Sequence, residues 1–364
     1  MERARSVLIN MLSSTFIEEL KGEVDEIYLV GGAIRDAFFG KAVKDFDFVL
    51  SENAFEKTVK FLEKKRIRYF TLNKGSFLSI RAIEDGLTFD FTKIANNIKY
   101  DLLLRDYTIN TVYYSLTRNK FFYKDITLND LKKRILRVTS PSSISYDPLR
   151  SLRGIRIAAA FDLSIDETTK EKIRKGFSLL HTVKKERRRE ETKKILNIDI
   201  NSLIKVLKLF FPERDFSIAY KKYVLSKEFE ILNREINKDF TYRDALTVAL
   251  FSQALQCNLA NSLGLNRKER EIVEQIMKEK VVNDFDSLFS IFVRYREIFI
   301  PLCVAVLSFD KEKAIKIGTL ITNWDKIKFD GNKLKMQYNV KGKALGKLKE
   351  RLLKNECRRL YEEV

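Results

Sequence analysis

Histidine is almost missing from this chain: there is one, His181, in 364 residues. That excludes chemistry needing a histidine cluster, which covers most zinc hydrolases and His–Asp phosphohydrolases. The three cysteines, Cys257, Cys303 and Cys357, stand far apart with no paired spacing, which argues against a disulfide framework or a cysteine zinc site. With only 4 Pro and 13 Gly, collagen-like, mucin-like and disordered classes drop out and a helix-rich globular protein is expected. Long apolar runs are lacking too: the longest, Ile298 to Phe309, is too short to span a bilayer and contains Pro301. No basic-then-apolar leader opens the chain, so a cytoplasmic location and no membrane partner are expected.

What is plentiful is charge of one sign. Against 50 Asp+Glu stand 69 Lys+Arg, a formal charge of +19. Such an excess suits a polyanionic partner, and the usual one is nucleic acid. A basic surface kept for solubility is the blander reading. Charge names a class of partner, not a reaction.

The chain changes character near residue 140. Before it, short β-rich runs (Glu26 to Val30, Asp45 to Leu50, Arg68 to Leu72, Phe77 to Ala82, Leu87 to Thr92) alternate with helical stretches such as Ala54 to Lys64. Asn73-Lys74-Gly75 and Glu84-Asp85-Gly86 read as turns, the second as a hairpin loop. After it, apolar residues recur at three- and four-residue spacing through Leu149 to Phe161, Leu203 to Phe211, Tyr242 to Leu255 and Ile272 to Ile276. That is a train of helices. Cuts are expected near Ser140-Pro141, around Asn197 and near Asp284 to Asp286.

Two motifs carry chemistry. Leu29-Val30-Gly31-Gly32-Ala33-Ile34-Arg35-Asp36 predicts a strand leading through two glycines into a helix. Backbone N–H groups at a helix start favour anions, glycine lets a phosphate approach the main chain, and Arg35 lies one turn in. Taken alone, a Gly-Gly turn is more often just a tight connection. The second motif is Asp45-Phe46-Asp47, within the next apolar run. In a strand both carboxylates share one face, while Phe46 and Phe48 point into the core. The pair alone reads as a solvated edge; beside a phosphate-type turn it reads better as a site for Mg²⁺. Carboxylates holding Mg²⁺ next to a triphosphate suggest nucleotidyl transfer by a two-metal mechanism.

Leu29 to Gly40 followed by Asp45-Phe46-Asp47 resembles the signature of class II tRNA nucleotidyltransferases, members of the DNA polymerase β superfamily that share it with bacterial poly(A) polymerases. Further stretches are similar in the same order: Asp101 to Asn110, with Arg105 and Asp106, and Asp147-Pro148-Leu149-Arg150 through Arg153 to Arg156, like the family's nucleotide-selecting helix. Glu186-Arg187 with Glu191 to Leu196 resembles the last family motif, and Asp330-Gly331-Asn332 with Lys341 to Gly346 echoes the tail. The likeness is ordered over residues 27 to 196 and thin from 200 to 325.

The resemblance implies an α+β protein: a small mixed β-sheet nucleotidyltransferase head (1–140) followed by an all-helical neck (141–197), body (198–285) and basic, tRNA-binding tail (286–364). It implies that Asp45 and Asp47 hold the catalytic Mg²⁺ and that Gly31, Gly32 and Arg35 meet the triphosphate of CTP. Arg105, with Asp106 and Asn110, would position phosphates and sugar. Asp147 and Arg150, three apart on an expected helix and continued by Arg153 and Arg156, would read the base edge. The chemistry is apt, since Asp accepts from an exocyclic amine and Arg donates to a ring nitrogen or carbonyl. Asp90 completes the metal site, activates the primer 3′-hydroxyl, or is an exposed strand carboxylate; all three stay open.

Departures from the family pattern bear on the product. Leu104 replaces the first Arg of its Arg-Arg-Asp, Thr127-Leu128 stands where a Gly-Gly is usual, and Tyr146 replaces Glu. Only the ten residues Phe91 to Tyr100 separate Asp90 from Asp101, where CCA-adding members carry a longer loop tied to the switch from CTP to ATP. The expected activity is therefore addition of CC to tRNA lacking its 3′ CCA end, with a separate A-adding enzyme to finish the job. Full CCA addition with CTP and ATP is the alternative, followed by A-addition, poly(A) synthesis, or a non-catalytic RNA-binding protein on the same fold. His181 is expected at the surface, Lys184 to Lys194 as a salt-laced helix face, and Trp324 in the core.

Overall fold

A computed structural model describes residues 1–74, 77–94, 102, 104–226, 230–233, 235–237, 240–278, 285–295, 320, 323–324 and 326–363. Gly75, the link residues 95–100 with Asp101, the apolar run 298–309 with Pro301 and Cys303, and the expected cut at Asp284 lie outside the described residues. The chain divides into two compact units, Met1–Lys184 with Lys205–Phe210, and Lys185–Ile204 with Phe211–Val364.

The first unit is built on seven strands, β1 (Tyr28–Val30), β2 (Asp45–Leu50), β3 (Tyr69–Lys74), β4 (Phe77–Glu84), β5 (Leu87–Lys93), β6 (Tyr113–Ser115) and β7 (Lys120–Phe122). They lie in the order β3-β4-β5-β2-β1-β6-β7. Neighbours run antiparallel except β2 and β5, which are parallel. Alternation along β2 and β5 decides the core. Phe46 stacks on Phe89 at 5.5 Å between ring centres and Phe48 on Phe91 at 5.2 Å. All four rings are buried, and Phe16 closes over Phe89 at 4.9 Å. The residues between them, Asp45, Asp47 and Asp90, therefore face the other way.

The expected strands are present with ends shifted by up to two residues. β4 and β5 meet in a two-residue loop, Asp85-Gly86, both at positive φ (48° and 77°), the geometry that matches strand twist in a tight hairpin. Strands β6 and β7 escape a periodicity reading because each has three residues, too few to show alternation. Helix α1 (Glu2–Leu12) and helix α2 (Ile17–Glu23) precede the sheet, α3 (Gly32–Phe38) follows the glycine turn, and α4 (Glu52–Lys64) follows β2. Helix α4 starts where Ser51 Oγ accepts a hydrogen bond from the Ala54 N–H at 3.3 Å, and it buries Phe55, Phe61 and Leu62.

Past residue 140 the unit is helical, with Leu149–Phe161 packed on Glu167–Ser178. The only described strands past residue 140 are β9 (Ser164–Ile165), which pairs with β8 (Ile135–Leu136), and in the second unit β10 (Glu235–Asn237) with β11 (Phe240–Thr241). The secondary structure of the second unit's described residues is otherwise helical. Tyr242–Leu255 opens on a capping box between Thr241 and Asp244, and Trp324 sits in a core with Phe285, Phe289 and Phe292. His181 is exposed, its Nδ1 2.8 Å from the Ser178 carbonyl oxygen. Among the described residues no helix is long and apolar enough to cross a membrane.

Candidate active site

The glycine turn comes first in building the site. Gly31 adopts φ 79° and ψ −134°, a conformation open to glycine alone. A Cβ there would lie 2.9 Å from Arg105 Nη1 and 3.7 Å from Asp47 Oδ2. Strand pairing explains the proximity, because Val30, the last residue of β1, stands opposite Asp47. Turn, carboxylate and guanidinium thus converge at one end of β1 and β2.

Asp45 and Asp47 are exposed on the same face. Parallel pairing of β2 with β5 sets Asp90 directly opposite Asp47 and so adds a third carboxylate to that face. Asp90 is not the exposed strand carboxylate left open above. It is 8% exposed, and Arg81 grips both its oxygens, Nε to Oδ1 and Nη2 to Oδ2, each at 2.6 Å. The Asp90 hydrogen bonds push the Arg81 guanidinium above its ordinary pKa against the opposing effect of burial, with help from the charges of Asp45 and Asp47. Sequence reasoning missed Arg81. The signal was there: counting outward from the loop Asp85-Gly86 pairs residue 81 with residue 90.

A second group forms a buried relay. Arg35, 7% exposed, donates to Asp36 Oδ1 from Nε (2.9 Å) and Nη2 (2.6 Å) and to Asn110 Oδ1 from Nη1 (2.8 Å), with its guanidinium 4.8 Å from the Phe161 ring centre. Asn110 Nδ2 donates to Asp106 Oδ1 at 2.8 Å, and Arg153 Nη1 donates to Asp106 Oδ2 at 3.1 Å. Burial raises the Asp106 pKa, yet Arg153, the Asn110 amide and the Tyr107 N–H together bring it below its ordinary value. Arg35, Asp106, Asn110 and Arg153 are thus held together, with Arg35 turned into protein. Gly32 follows the turn, Arg35 Nη2 lying 3.3 Å from where its Cβ would be.

The third group is the pair expected to read the base, Asp147 and Arg150, and here the expected geometry changes. Asp147 precedes the helix, at φ −138° and ψ 94°; the helix begins at Leu149 after Pro148. Proline disfavours helical backbone in the residue before it, so Asp147 is pushed to an extended conformation and does not share a helix face with Arg150. Half-buried Asp147 accepts from the Leu149 N–H through Oδ1 at 3.3 Å. Arg150 is turned onto backbone: Nη2 donates to the Leu104 carbonyl (2.5 Å), and Nη1 to the Arg105 carbonyl (3.2 Å) and Ser143 Oγ (2.8 Å). Its own carbonyl accepts from Tyr107 Oη at 2.6 Å. Arg153 and Arg156 follow at three-residue spacing, both half-buried.

A hard divalent cation fits the exposed pair. Mg²⁺ binds through one or two carboxylates and takes its remaining oxygens from substrate phosphates and water. Among the described residues no group of three or more His, Cys, Asp or Glu could hold a metal ion.

Residues 27–137 match the family model described as "Poly A polymerase head domain", and residues 162–199 that described as "Probable RNA and SrmB- binding site of polymerase A". A CC-adding tRNA nucleotidyltransferase from Synechocystis is 31% identical over 162 residues, covering 44% of this chain and 39% of that enzyme. Poly(A) polymerase I from Salmonella typhi is 31% identical over 198 residues, covering 47% and 42%. The chain therefore spans about two fifths of the length of these two relatives. A solved Thermotoga maritima CCA-adding enzyme complexed with tRNA matches 99% of this chain and 97% of its own, with a TM-score of 0.68 at 22% identity, which shows the fold. Residues 27–137 and 162–199 are therefore similar to a poly(A) polymerase head and its RNA-binding segment, and the chain is similar over part of its length to a tRNA nucleotidyltransferase and to a bacterial poly(A) polymerase.

Proposed function

We propose that this protein adds CC, without a nucleic-acid template, to tRNA lacking its 3′ CCA end, using CTP and Mg²⁺. The observation that carries the transferase reading is the convergence of Asp45, Asp47, the Gly31 turn and Arg105 at one end of β1 and β2. In the reaction the terminal 3′-oxygen of the tRNA bonds to the α-phosphorus of CTP, and the bond to pyrophosphate breaks. Asp45 and Asp47 would hold Mg²⁺, which when bound supplies Lewis-acid stabilisation of the charge on the triphosphate. Arg105 faces the glycine turn and binds phosphate oxygens as a charged donor. Asp147, half-exposed, accepts from the exocyclic amine of cytosine. Arg150 holds the backbone that carries Arg105, and it reaches a base edge only by exchanging one of its carbonyl contacts. Residues 1–140 serve as head, 141–197 as neck, 198–285 as body and 286–364 as a basic tail against tRNA.

Restriction to CC rests on the short link. Its described ends, Ile94 and Leu102, both pack against the cluster of Val30, Val49 and Tyr113, so seven residues span between two seated anchors. Short anchored connections have few conformations with which to reposition a selecting face for a larger purine. The test offers tRNAs lacking CCA, ending in the first C, and ending in CC, with CTP or ATP supplied separately. Two additions from CTP followed by arrest are expected, with little A added to the CC end; efficient A addition would assign full CCA synthesis instead. Asp45→Ala or Asp47→Ala should abolish incorporation yet leave tRNA affinity within a few-fold, because binding comes from the distributed basic surface.

A further inference from the structure

Three neighbouring strands place Asp47, Asp90 and Arg81 in one row. Asp47 stands opposite Asp90 across the parallel β2–β5 pair, and Asp90 opposite Arg81 across the antiparallel β4–β5 pair. Residues directly opposite share a face of the sheet. The row therefore runs from the exposed metal-binding carboxylates to a guanidinium that takes both oxygens of the third. The Asp90 side chain is 12% exposed, against 36% for Arg81, so the pair is shielded on the carboxylate side.

We propose that Arg81 is a positioning residue that keeps Asp90 out of the divalent cation's ligand set in the nucleotide-free protein, so that the cation is held firmly only when a triphosphate supplies the missing oxygens. The idea rests on the metal site proposed above. Two parallel N–H···O bonds between charged groups fix the Asp90 carboxylate in orientation as well as position. A cation recruiting Asp90 must compete with that fork. With Asp90 occupied, Asp45 and Asp47 remain as the protein's ligands, a number that suits Mg²⁺ completed by phosphates. Entry of metal with nucleotide, rather than before it, follows.

Mn²⁺ binding, followed by the loss of the free-ion electron paramagnetic resonance signal, reads this without turnover. The full chain is titrated alone and with CTP but no tRNA. Arg81→Gln should bind Mn²⁺ without nucleotide about tenfold more tightly, a difference of about 1.4 kcal/mol in binding free energy. The same change made on Asp90→Asn should gain less than about twofold, because the freed carboxylate is the source of the gain. Arg81→Lys, which keeps charge but loses the fork, should gain a few-fold and serves if the Gln variant fails to fold. Equal gains with and without Asp90 would show that Arg81 acts only through its charge and overturn the proposal, as would unchanged or weaker binding in Arg81→Gln. Asp45→Ala separates the two ideas. If it binds Mn²⁺ as the parent does, the metal site itself fails; if it does not, the variants at position 81 judge the role of Arg81 alone.

Discussion

At Asp106 the carboxyl is surrounded by donors from three directions, and its folded pKa lies below the ordinary Asp value of about 3.9. A depressed folded pKa contributes stability that is fully present above the unfolded value and lost as pH falls through the folded one. Asp106→Asn should cost about 2 kcal/mol near neutral pH, the worth of hydrogen bonds to a charged group. The gap between parent and variant, measured by denaturant unfolding, should then narrow as pH drops below about 4. A gap independent of pH would remove the charged relay from the stability of the site. Asp147 faces a different test. Losing one hydrogen bond to a charged acceptor costs about 1.5–3 kcal/mol, so Asp147→Ala should lose roughly ten- to a hundredfold in preference for CTP over UTP, with triphosphate affinity changed far less. Unchanged preference in competition assays would take Asp147 out of base recognition.

Between elements, the helix Leu149–Phe161 meets its neighbours where side chains are absent. A Cβ on Gly154 would lie 2.2 Å from Tyr107 Oη and 2.9 Å from Ile173 Cδ1, and one on Gly176 would lie 2.0 Å from Ser151 Oγ. Both glycines sit in helices, where glycine is the poorer helix former, so close approach rather than propensity accounts for them. Through the Gly154 contact, the Tyr107 hydroxyl reaches the Arg150 carbonyl, and the Arg150 guanidinium holds the carbonyls of residues 104 and 105. Gly154→Ala should therefore destabilise by about 1–3 kcal/mol through overpacking, despite the better helix propensity of Ala. Its CTP incorporation should fall further than its melting temperature explains, because the segment carrying Arg105 shifts with Tyr107. A melting temperature equal to the parent's would mean that the crossing yields without cost.

For the molecule as a whole, the net charge of +19 and the short link act on different steps. Charge governs how tightly a polyanion is held, and that term is sequence-independent and salt-dependent. The link between Ile94 and Leu102 governs which nucleotide follows CC in the proposed reading. Replacing residues 95–101 with a longer loop from a CCA-adding relative should allow some addition of A to tRNA ending in CC, measured by primer extension with ATP. No change at Asp45, Asp47 or Asp147 should be needed. If the longer loop leaves A addition at the parent level while CC addition stays intact, product choice lies elsewhere in the chain.

Much of this was legible along the chain because strand periodicity is local. Alternation alone sends Phe46 and Phe48 inward and Asp45 and Asp47 outward, and an Asp-Gly between two β-rich runs marks the hairpin that pairs β4 with β5. The resemblance of Leu29 to Gly40 to the nucleotidyltransferase signature supplied the expectation of a likeness to tRNA nucleotidyltransferases and poly(A) polymerases, and the matching head model and relatives show that likeness. Tertiary structure decided the rest. That Asp90 lies beside Asp47 depends on parallel pairing of β2 with β5, two strands separated by α4 and a hairpin, and no local pattern states which strands become neighbours. Arg35 and Arg150 look like phosphate and base ligands in sequence. In the fold their long side chains turn to Asp36 and Asn110, and to the carbonyls of Leu104 and Arg105. Spacing tells which face a residue starts from. Apart from the adjacent Asp36, these partners (Asn110 for Arg35, the carbonyls of Leu104 and Arg105 for Arg150) lie tens of positions away and come within hydrogen-bond distance only when the core closes.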